Sequence, residues 1–322
     1  MISIDAEQVF KNLPMNQCID LLEVMYKNEY QSLSHQPPRN ITRVDEDSVI
    51  LTMPGYSKQI ERYAVKIVTE YKKNPQRFAA KVQGGVLLLI DARTSETLAL
   101  IDSAALTAIR TGALSGLATK LLARKESTRV GVIGSGQQAR TQLEAICHVR
   151  PIERACVFSR EYSNAKKFSN EMGARLRIPI EAVQDRNELK RHQNHILIVA
   201  TNSSLPVLNW SDDIEAGMHI NSIGTLPDRQ ELDVDTICHS RVFVDVRDGV
   251  LKEAGDVINA INSHRINVDH LQGDLSDLIL GRVEGRRTLS EITLFKSVGF
   301  ALLDVYAADA VYKNTMSLKG GN

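Results

Sequence analysis

Three basic residues set in apolar surroundings, and one glycine-rich turn, are where this chain could do chemistry. Arg110 is the only charge between Asp102 and Lys120, in a run rich in Ala, Gly, Ser and Thr. A guanidinium in an apolar helix needs an anionic partner, because an unpaired buried charge is costly. The partner is either a protein carboxylate or that of a bound small molecule, which arginine grips with a two-pronged fork. Lys66 poses the same question inside Tyr63–Val68, an otherwise apolar strand. Alternation sets Lys66 with Ala64 and Val68, opposite Tyr63, Val65 and Ile67. A buried lysine can carry a lowered pKa and move protons, whereas one on a sheet edge reaches solvent. Arg39, behind Pro37-Pro38, is a third cation on a constrained segment.

The turn is Gly134-Ser135-Gly136-Gln137-Gln138-Ala139. It follows the apolar run Val130–Ile133 and opens a helical pattern, which fits the G-x-G-x-x-G/A fingerprint of a Rossmann dinucleotide-binding unit. Gly134 permits the turn, Gly136 lets a pyrophosphate approach the backbone, and Ala139 lets the helix pack on the strand. Free backbone N–H groups and the helix dipole favour an anion there. The next strand ends Val157-Phe158-Ser159-Arg160, with no acid at its tip to bind a ribose 2′-hydroxyl. Ser159 and Arg160 suit a 2′-phosphate. NADP(H) is therefore the expected preference, and the adjacent Glu161 leaves NAD(H) open.

These residues need elements to hold them. Residues 6–30 read as helix, and Pro37-Pro38-Arg39 as an extended connection. Strands are expected at Val49–Met53, Tyr63–Val68 and Val86–Ile90, the last leading by a hairpin to Leu98–Ile101. The Arg110 helix spans Ser103 to about Ala123; it is too short, too polar in its middle and too rich in small residues for a membrane span. From Arg129 strand and helix alternate, with further strands at Ile196–Ala200, His219–Ile223 and Arg241–Val246. That pattern argues for a parallel sheet covered by helices. A final helix is expected around Leu294–Tyr312, followed by a loose tail from Ser317. The fold class is α/β: a Rossmann domain over residues 124–299 and an α+β substrate-binding and dimerisation domain over residues 1–123 with 300–322.

Composition excludes several classes. The 322 residues carry 39 basic and 39 acidic side chains, a formal net charge of zero, which argues against a nucleic-acid binder. Cys18, Cys147, Cys156 and Cys238 form no C-x-x-C pair and read as reduced thiols of a cytoplasmic enzyme. The N-terminus lacks the basic region and apolar core of a secretory signal. His192 and His195 have ligand-like spacing without supporting Cys or carboxylates, so no metal site is expected.

Taken in order, several segments resemble the ornithine cyclodeaminase/mu-crystallin family. They are Pro37-Pro38-Arg39, Leu51–Pro54, Val65-Lys66, Leu98–Asp102, Leu106–Ala113, Gly131–Ala139, His219–Gly224, Glu253–Asp256 and Glu291–Gly299. The resemblance implies a homodimer acting on a small amino or imino acid. It implies that Arg39, Lys66 and Arg110 hold the substrate α-carboxylate, with Lys66 and Arg110 at the catalytic centre. It places Thr201, Lys296, Val298 and Gly299 around the nicotinamide. The chain departs from the family at Ile223-Gly224-Thr225-Leu226-Pro227-Asp228-Arg229, where cyclodeaminases carry an aspartate in a Val-Gly-Gly-Asp-like turn. Here Asp228 follows the proline and cannot be carried over. The expected activity is therefore NAD(P)H-dependent reduction of an α-imino acid, such as pyrroline-2-carboxylate, or amino-acid dehydrogenation in reverse. Ornithine cyclodeamination and an NADPH-loaded binding protein like mu-crystallin are the alternatives.

Overall fold

Two sheets of different construction organise the chain, one of six strands and one of eight. The computed structural model describes residues 1–29, 34–71, 73–78 and 82–320. Two units form, Met1–Arg110 with Phe300–Asn322, and Thr111–Gly299. The division falls inside the Arg110 helix, whereas the charged residues 124–127 suggest a boundary after its end.

The first unit contains β1 (Ile2–Ile4), α1 (Ala6–Asn12), α2 (Met15–Glu29), β2 (Asn40–Asp45) and β3 (Ser48–Ser57). It continues with β4 (Arg62–Tyr71), α3 (Asn74–Phe78), β5 (Gln83–Asp91), β6 (Thr97–Asp102) and the start of α4 (Ser103–Leu122). The expected single helix over residues 6–30 is two helices, because Pro14 interrupts it; Tyr30 lies outside the described residues. The sheet order is β1-β6-β5-β4-β3-β2, antiparallel except where β1 runs beside β6. Period-2 alternation separates its faces. Met53, Lys66, Leu87 and Ile101 are cross-strand partners on one buried face. The helix Ala301–Gly320 packs there, so close that a Cβ on Gly55 would lie 2.9 Å from Ala301 Cβ. The opposite face carries Pro54, Val65, Leu88 and Leu100 in register and is only half-buried.

The second unit takes the rest of α4 and then β7 (Arg129–Ile133), α5 (Gln137–Val149), β8 (Arg154–Phe158), α6 (Tyr162–Leu176) and β9 (Ile180–Val183). Then come β10 (Ile196–Val199), α7 (Trp210–Asp213), β11 (His219–Ser222), α8 (Val234–His239) and β12 (Arg241–Val244). It ends with α9 (Arg247–Glu253), α10 (Gly255–Asn262), β13 (Leu271–Asp274), α11 (Leu275–Ile279) and β14 (Thr293–Lys296). All eight strands are parallel, in the order β9-β8-β7-β10-β11-β14-β12-β13. Strand order reverses between β7 and β10, the place where doubly wound sheets bind ligands. Both faces are covered. Val130, Val132, Ile196 and Ile198 join one core cluster with α5 and α6, while Ile133, Leu197, Val199 and Ile220 join another. That two-sided burial is why these strands read as unbroken apolar runs.

The expected helix from Leu294 needs correction. Thr293–Lys296 is an inner strand between β11 and β12, and the helix starts at Ala301. A short apolar run buried on both faces has no period to distinguish it from helix. Between the two, Gly299 takes a positive φ of 73°. Residues 317–320 continue the helix and are not a loose tail, and 321–322 lie outside the described residues. Among the described residues, no helix is long and apolar enough to cross a membrane.

Candidate active site

The first unit brings Lys66 and Arg110 together. β4 is an inner strand, so the edge reading of Lys66 fails: its side chain is 2% exposed. Arg110, on α4, is equally buried. Both bond one carboxylate. Lys66 Nζ donates to Asp304 Oδ2 at 2.5 Å and to Thr107 Oγ1 at 3.4 Å, and Arg110 Nε donates to Asp304 Oδ1 at 3.0 Å. Burial pushes the Lys66 ammonium down to about 8; Asp304 opposes that shift, while Arg110 and Arg39 add to it. Burial works against ionisation of Asp304, but Arg110 and Lys66 together hold its carboxyl below the usual range. Arg39 is half-buried in an irregular segment, and its charge reaches Lys66.

In the second unit the fingerprint adopts the geometry its glycines suggest. Gly134 has φ +111°, and a Cβ there would lie 2.2 Å from the Ala200 carbonyl oxygen. At Gly136, the N-cap of α5, a Cβ would meet nothing within 4 Å. Gly136 and Gln137 are exposed, Gln138 half-buried and Ala139 fully buried against the core. Open space over a helix N-terminus, reached through a tight glycine turn, fits a dinucleotide pyrophosphate. Ser135 Oγ lies 2.8 Å from Ser159 Oγ, which ties the turn to the end of β8, and Arg160 beyond it is exposed.

Buried carboxylates hold the loops at the carboxyl ends of the parallel strands. Glu231 Oε1 accepts from Thr201 N at 2.6 Å and Thr201 Oγ1 at 3.0 Å. Its Oε2 accepts from Ser222 Oγ at 2.8 Å and Gly224 N at 2.6 Å. Burial raises the Glu231 carboxyl pKa, with Lys296 and these hydrogen bonds opposing. Asp245 Oδ2 accepts from Ser297 Oγ, Val298 N and Gly299 N at 2.7, 3.0 and 2.6 Å. Burial raises its pKa as well, against those same bonds. Lys296 Nζ donates to Asp256 Oδ2 at 2.7 Å and Ser222 Oγ at 2.9 Å, with Glu231 Oε2 at 4.0 Å. The Lys296 side chain is 1% exposed. Its ammonium serves an internal ion pair with Asp256.

Four buried acids that bond the candidate residues were not read from the sequence: Glu231, Asp245, Asp256 and Asp304. Asp304 had a signal, being a lone acid in Ala301–Ala308, the counterpart of Arg110 in its own apolar helix. Lys296, in an apolar strand, also called for an acid, though nothing local said which. Asp228 is exposed in the loop after β11, two residues past Leu226, which has φ +93°. Among the described residues, no cluster of three or more His, Cys, Asp or Glu could hold a metal.

A fingerprint turn on a doubly wound parallel sheet, together with an α+β unit with buried cations, defines a nicotinamide-dinucleotide-dependent class of enzyme. The sequence profile of the ornithine cyclodeaminase/mu-crystallin family matches residues 2–319, and the chain belongs to that family. It is 33% identical to a Delta(1)-pyrroline-2-carboxylate reductase of Bacillus cereus, over 100% of this chain and 99% of that protein. Among solved structures it is similar to the Thermococcus litoralis Delta(1)-pyrroline-2-carboxylate reductase in complex with NADH and L-proline. That match has a TM-score of 0.95 and 39% identity, covering 99% of this chain and 98% of the other. An archaeal alanine dehydrogenase dimer with bound NAD matches with a TM-score of 0.90 and 30% identity, over 98% and 96% of the two chains.

Proposed function

We propose that the protein is an NAD(P)H-dependent reductase of cyclic α-imino acids, with pyrroline-2-carboxylate as the leading substrate and amino-acid dehydrogenation as the reverse reaction. The observation that carries this is the pair of buried cations, Lys66 and Arg110, sharing the single carboxylate of Asp304. Two positive charges against one negative leave attraction for a second carboxylate, that of the substrate. The names of the Bacillus and Thermococcus relatives support the choice of a cyclic imine.

Arg110 and Arg39 hold the substrate α-carboxylate, and Lys66 helps to hold it. Gly134, Ser135, Gly136, Gln137, Gln138 and Ala139 hold the pyrophosphate, and Thr201, Val298 and Gly299 line the nicotinamide side. When bound, a reduced nicotinamide supplies hydride to the α-carbon of the imine. Lys66, with its pKa brought down to about 8, gives its proton to the imine nitrogen. The imine thereby gains hydride and proton and becomes the secondary amine. Ser159 and Arg160 favour NADPH over NADH by accepting a 2′-phosphate. Two copies associate through the half-buried apolar sheet face at Pro54, Val65, Leu88 and Leu100.

The test is oxidation of NADPH and of NADH against pyrroline-2-carboxylate, piperideine-2-carboxylate, and pyruvate with ammonia. Turnover of a cyclic imine is expected. Ammonia release from ornithine without added reductant would instead identify a cyclodeaminase. Tight NADPH binding with no imine reduced would identify a binding protein.

A further inference from the structure

The C-terminal helix carries two polar side chains two residues apart, one bonded to the cation pair and the other to the end of α2. Asp304 gives one oxygen to Lys66 and the other to Arg110. Lys66 comes from β4 and Arg110 from α4, and this third element gives both side chains one carboxylate to bond. Both are long and flexible, so holding them in one geometry carries an entropic cost. Tyr306 OH donates to Glu29 Oε1 at 2.8 Å, and Glu29 Oε2 accepts from Ser34 Oγ at 2.5 Å. Ser34 begins the segment that leads to Arg39, and its neighbour His35 pairs with Tyr56 of β3 through both backbone groups. The turn itself is seated firmly, since Gly55 leaves no room for a Cβ against Ala301 and Val305.

We propose that Asp304 is the positioning residue of the carboxylate grip, fixing the spacing and direction of Lys66 and Arg110 for the substrate anion. It touches neither substrate nor cofactor in this scheme; it acts through the two cations. Arg110 meets Asp304 with Nε, which keeps the terminal amino groups as the fork for an incoming carboxylate. Asp304 also supplies the negative charge that keeps Lys66 protonated against burial and against its neighbours Arg110 and Arg39; Thr107 is the remaining polar contact. The inference rests on the reductase reading for the identity of the substrate, though not for its anionic class.

The experiment compares wild type with Asp304→Asn and Asp304→Glu. It measures steady-state kinetics with pyrroline-2-carboxylate, calorimetric binding of the planar analogue pyrrole-2-carboxylate, and fluorescence titration of NADPH. Asp304→Asn should raise KM and the analogue dissociation constant roughly tenfold to hundredfold, the worth of one or two charge-assisted hydrogen bonds. NADPH affinity should stay unchanged, and the basic limb of kcat/KM should move to lower pH. Asp304→Glu restores the charge but displaces it by a methylene, so the limb should return while KM stays raised. Wild-type KM and analogue affinity in Asp304→Asn would overturn the proposal, as would an equal loss of NADPH binding. If Asp304→Asn fails to fold, wild-type values in Asp304→Glu overturn it. A wild-type protein that binds the analogue but reduces no imine refutes the reductase reading and leaves Asp304 judged on binding alone. A wild-type protein that binds no carboxylate refutes both.

Discussion

Glu231 Oε1 accepts both the backbone N–H and the hydroxyl of Thr201, at 2.6 and 3.0 Å. Its other oxygen holds Ser222 and the backbone of Gly224. One fully buried carboxylate thus joins the ends of β10 and β11. A buried donor left without an acceptor costs about 1–3 kcal/mol. Glu231→Ala strands several at once and is expected to unfold the second unit or lower its melting temperature sharply. Glu231→Gln keeps one acceptor oxygen, so it should fold while binding NADPH about tenfold more weakly. Equal NADPH dissociation constants for Glu231→Gln and wild type would remove Glu231 from any account of cofactor binding.

Arg110→Met tests the carboxylate grip itself. Loss of a forked, charge-assisted contact at a buried site should lower kcat/KM for the imine by roughly 10²–10³. The proposed dinucleotide-binding residues belong to the other unit, so NADPH affinity should not change. Should the variant instead melt without binding NADPH, the ion pair of Arg110 with Asp304 is structural first, and the grip lies elsewhere.

Legibility in the sequence followed the physics of each element. The strands of the second unit stood out because burial on both faces demands continuous apolar runs, as at Val130–Ile133 and Ile196–Val199. The same property misled at Thr293–Lys296, where four buried residues beside a long helix read as part of it. Gly134 was readable because only glycine tolerates φ +111° against the Ala200 carbonyl. Asp304 stands out as a lone acid in an apolar stretch, but its pairing with the two cations was not readable. Asp304 lies 194 residues from Arg110 and 238 from Lys66, and no local pattern encodes a contact between such distant positions. Glu231 sits in an irregular loop, where neither period nor motif marks an acid as buried.

Lys66 should set the alkaline side of the activity. Its ammonium titrates at about 8 in the free protein, so kcat/KM should fall as pH rises above that value. A bound substrate carboxylate stabilises the charged form, so the limb of kcat should lie at higher pH. Lys66→Arg keeps the charge without a titratable proton, and its residual activity should show no limb near 8. The stability sign is opposite: a lysine depressed below 10.5 costs stability below pH 8, and that cost fades as pH rises between the two values. A kcat/KM profile that is flat from pH 7 to 9.5 would exclude Lys66 as proton donor.

The proposed NADPH preference rests on Arg160. It is exposed at the end of β8, beside the Ser135–Ser159 contact. Arg160→Ala should reduce kcat/KM with NADPH about tenfold and leave the value with NADH nearly unchanged. A wild-type preference for NADH, or an equal loss with both dinucleotides, would show that Arg160 is an ordinary solvated residue.

His219 should make the second unit acid-sensitive. It lies in β11 with Nδ1 2.9 Å from Thr293 Oγ1. Complete burial drives its pKa down to about 3, and the charges of Arg286 and Arg150 push the same way. The unfolded chain, with an ordinary histidine near 6.5, therefore binds a proton that the native state refuses. Stability contributed by the neutral ring is present above about 6.5 and is lost as pH falls towards 3. At pH 5 the difference amounts to about 2 kcal/mol. Glutamine can keep a hydrogen bond to Thr293 but does not titrate. Denaturant unfolding at pH 7 and pH 5 should show wild type losing about 2 kcal/mol more than His219→Gln over that interval. Parallel losses in the two proteins would mean that the ring is protonated in the native state, and that the acid sensitivity comes from the buried carboxylates instead.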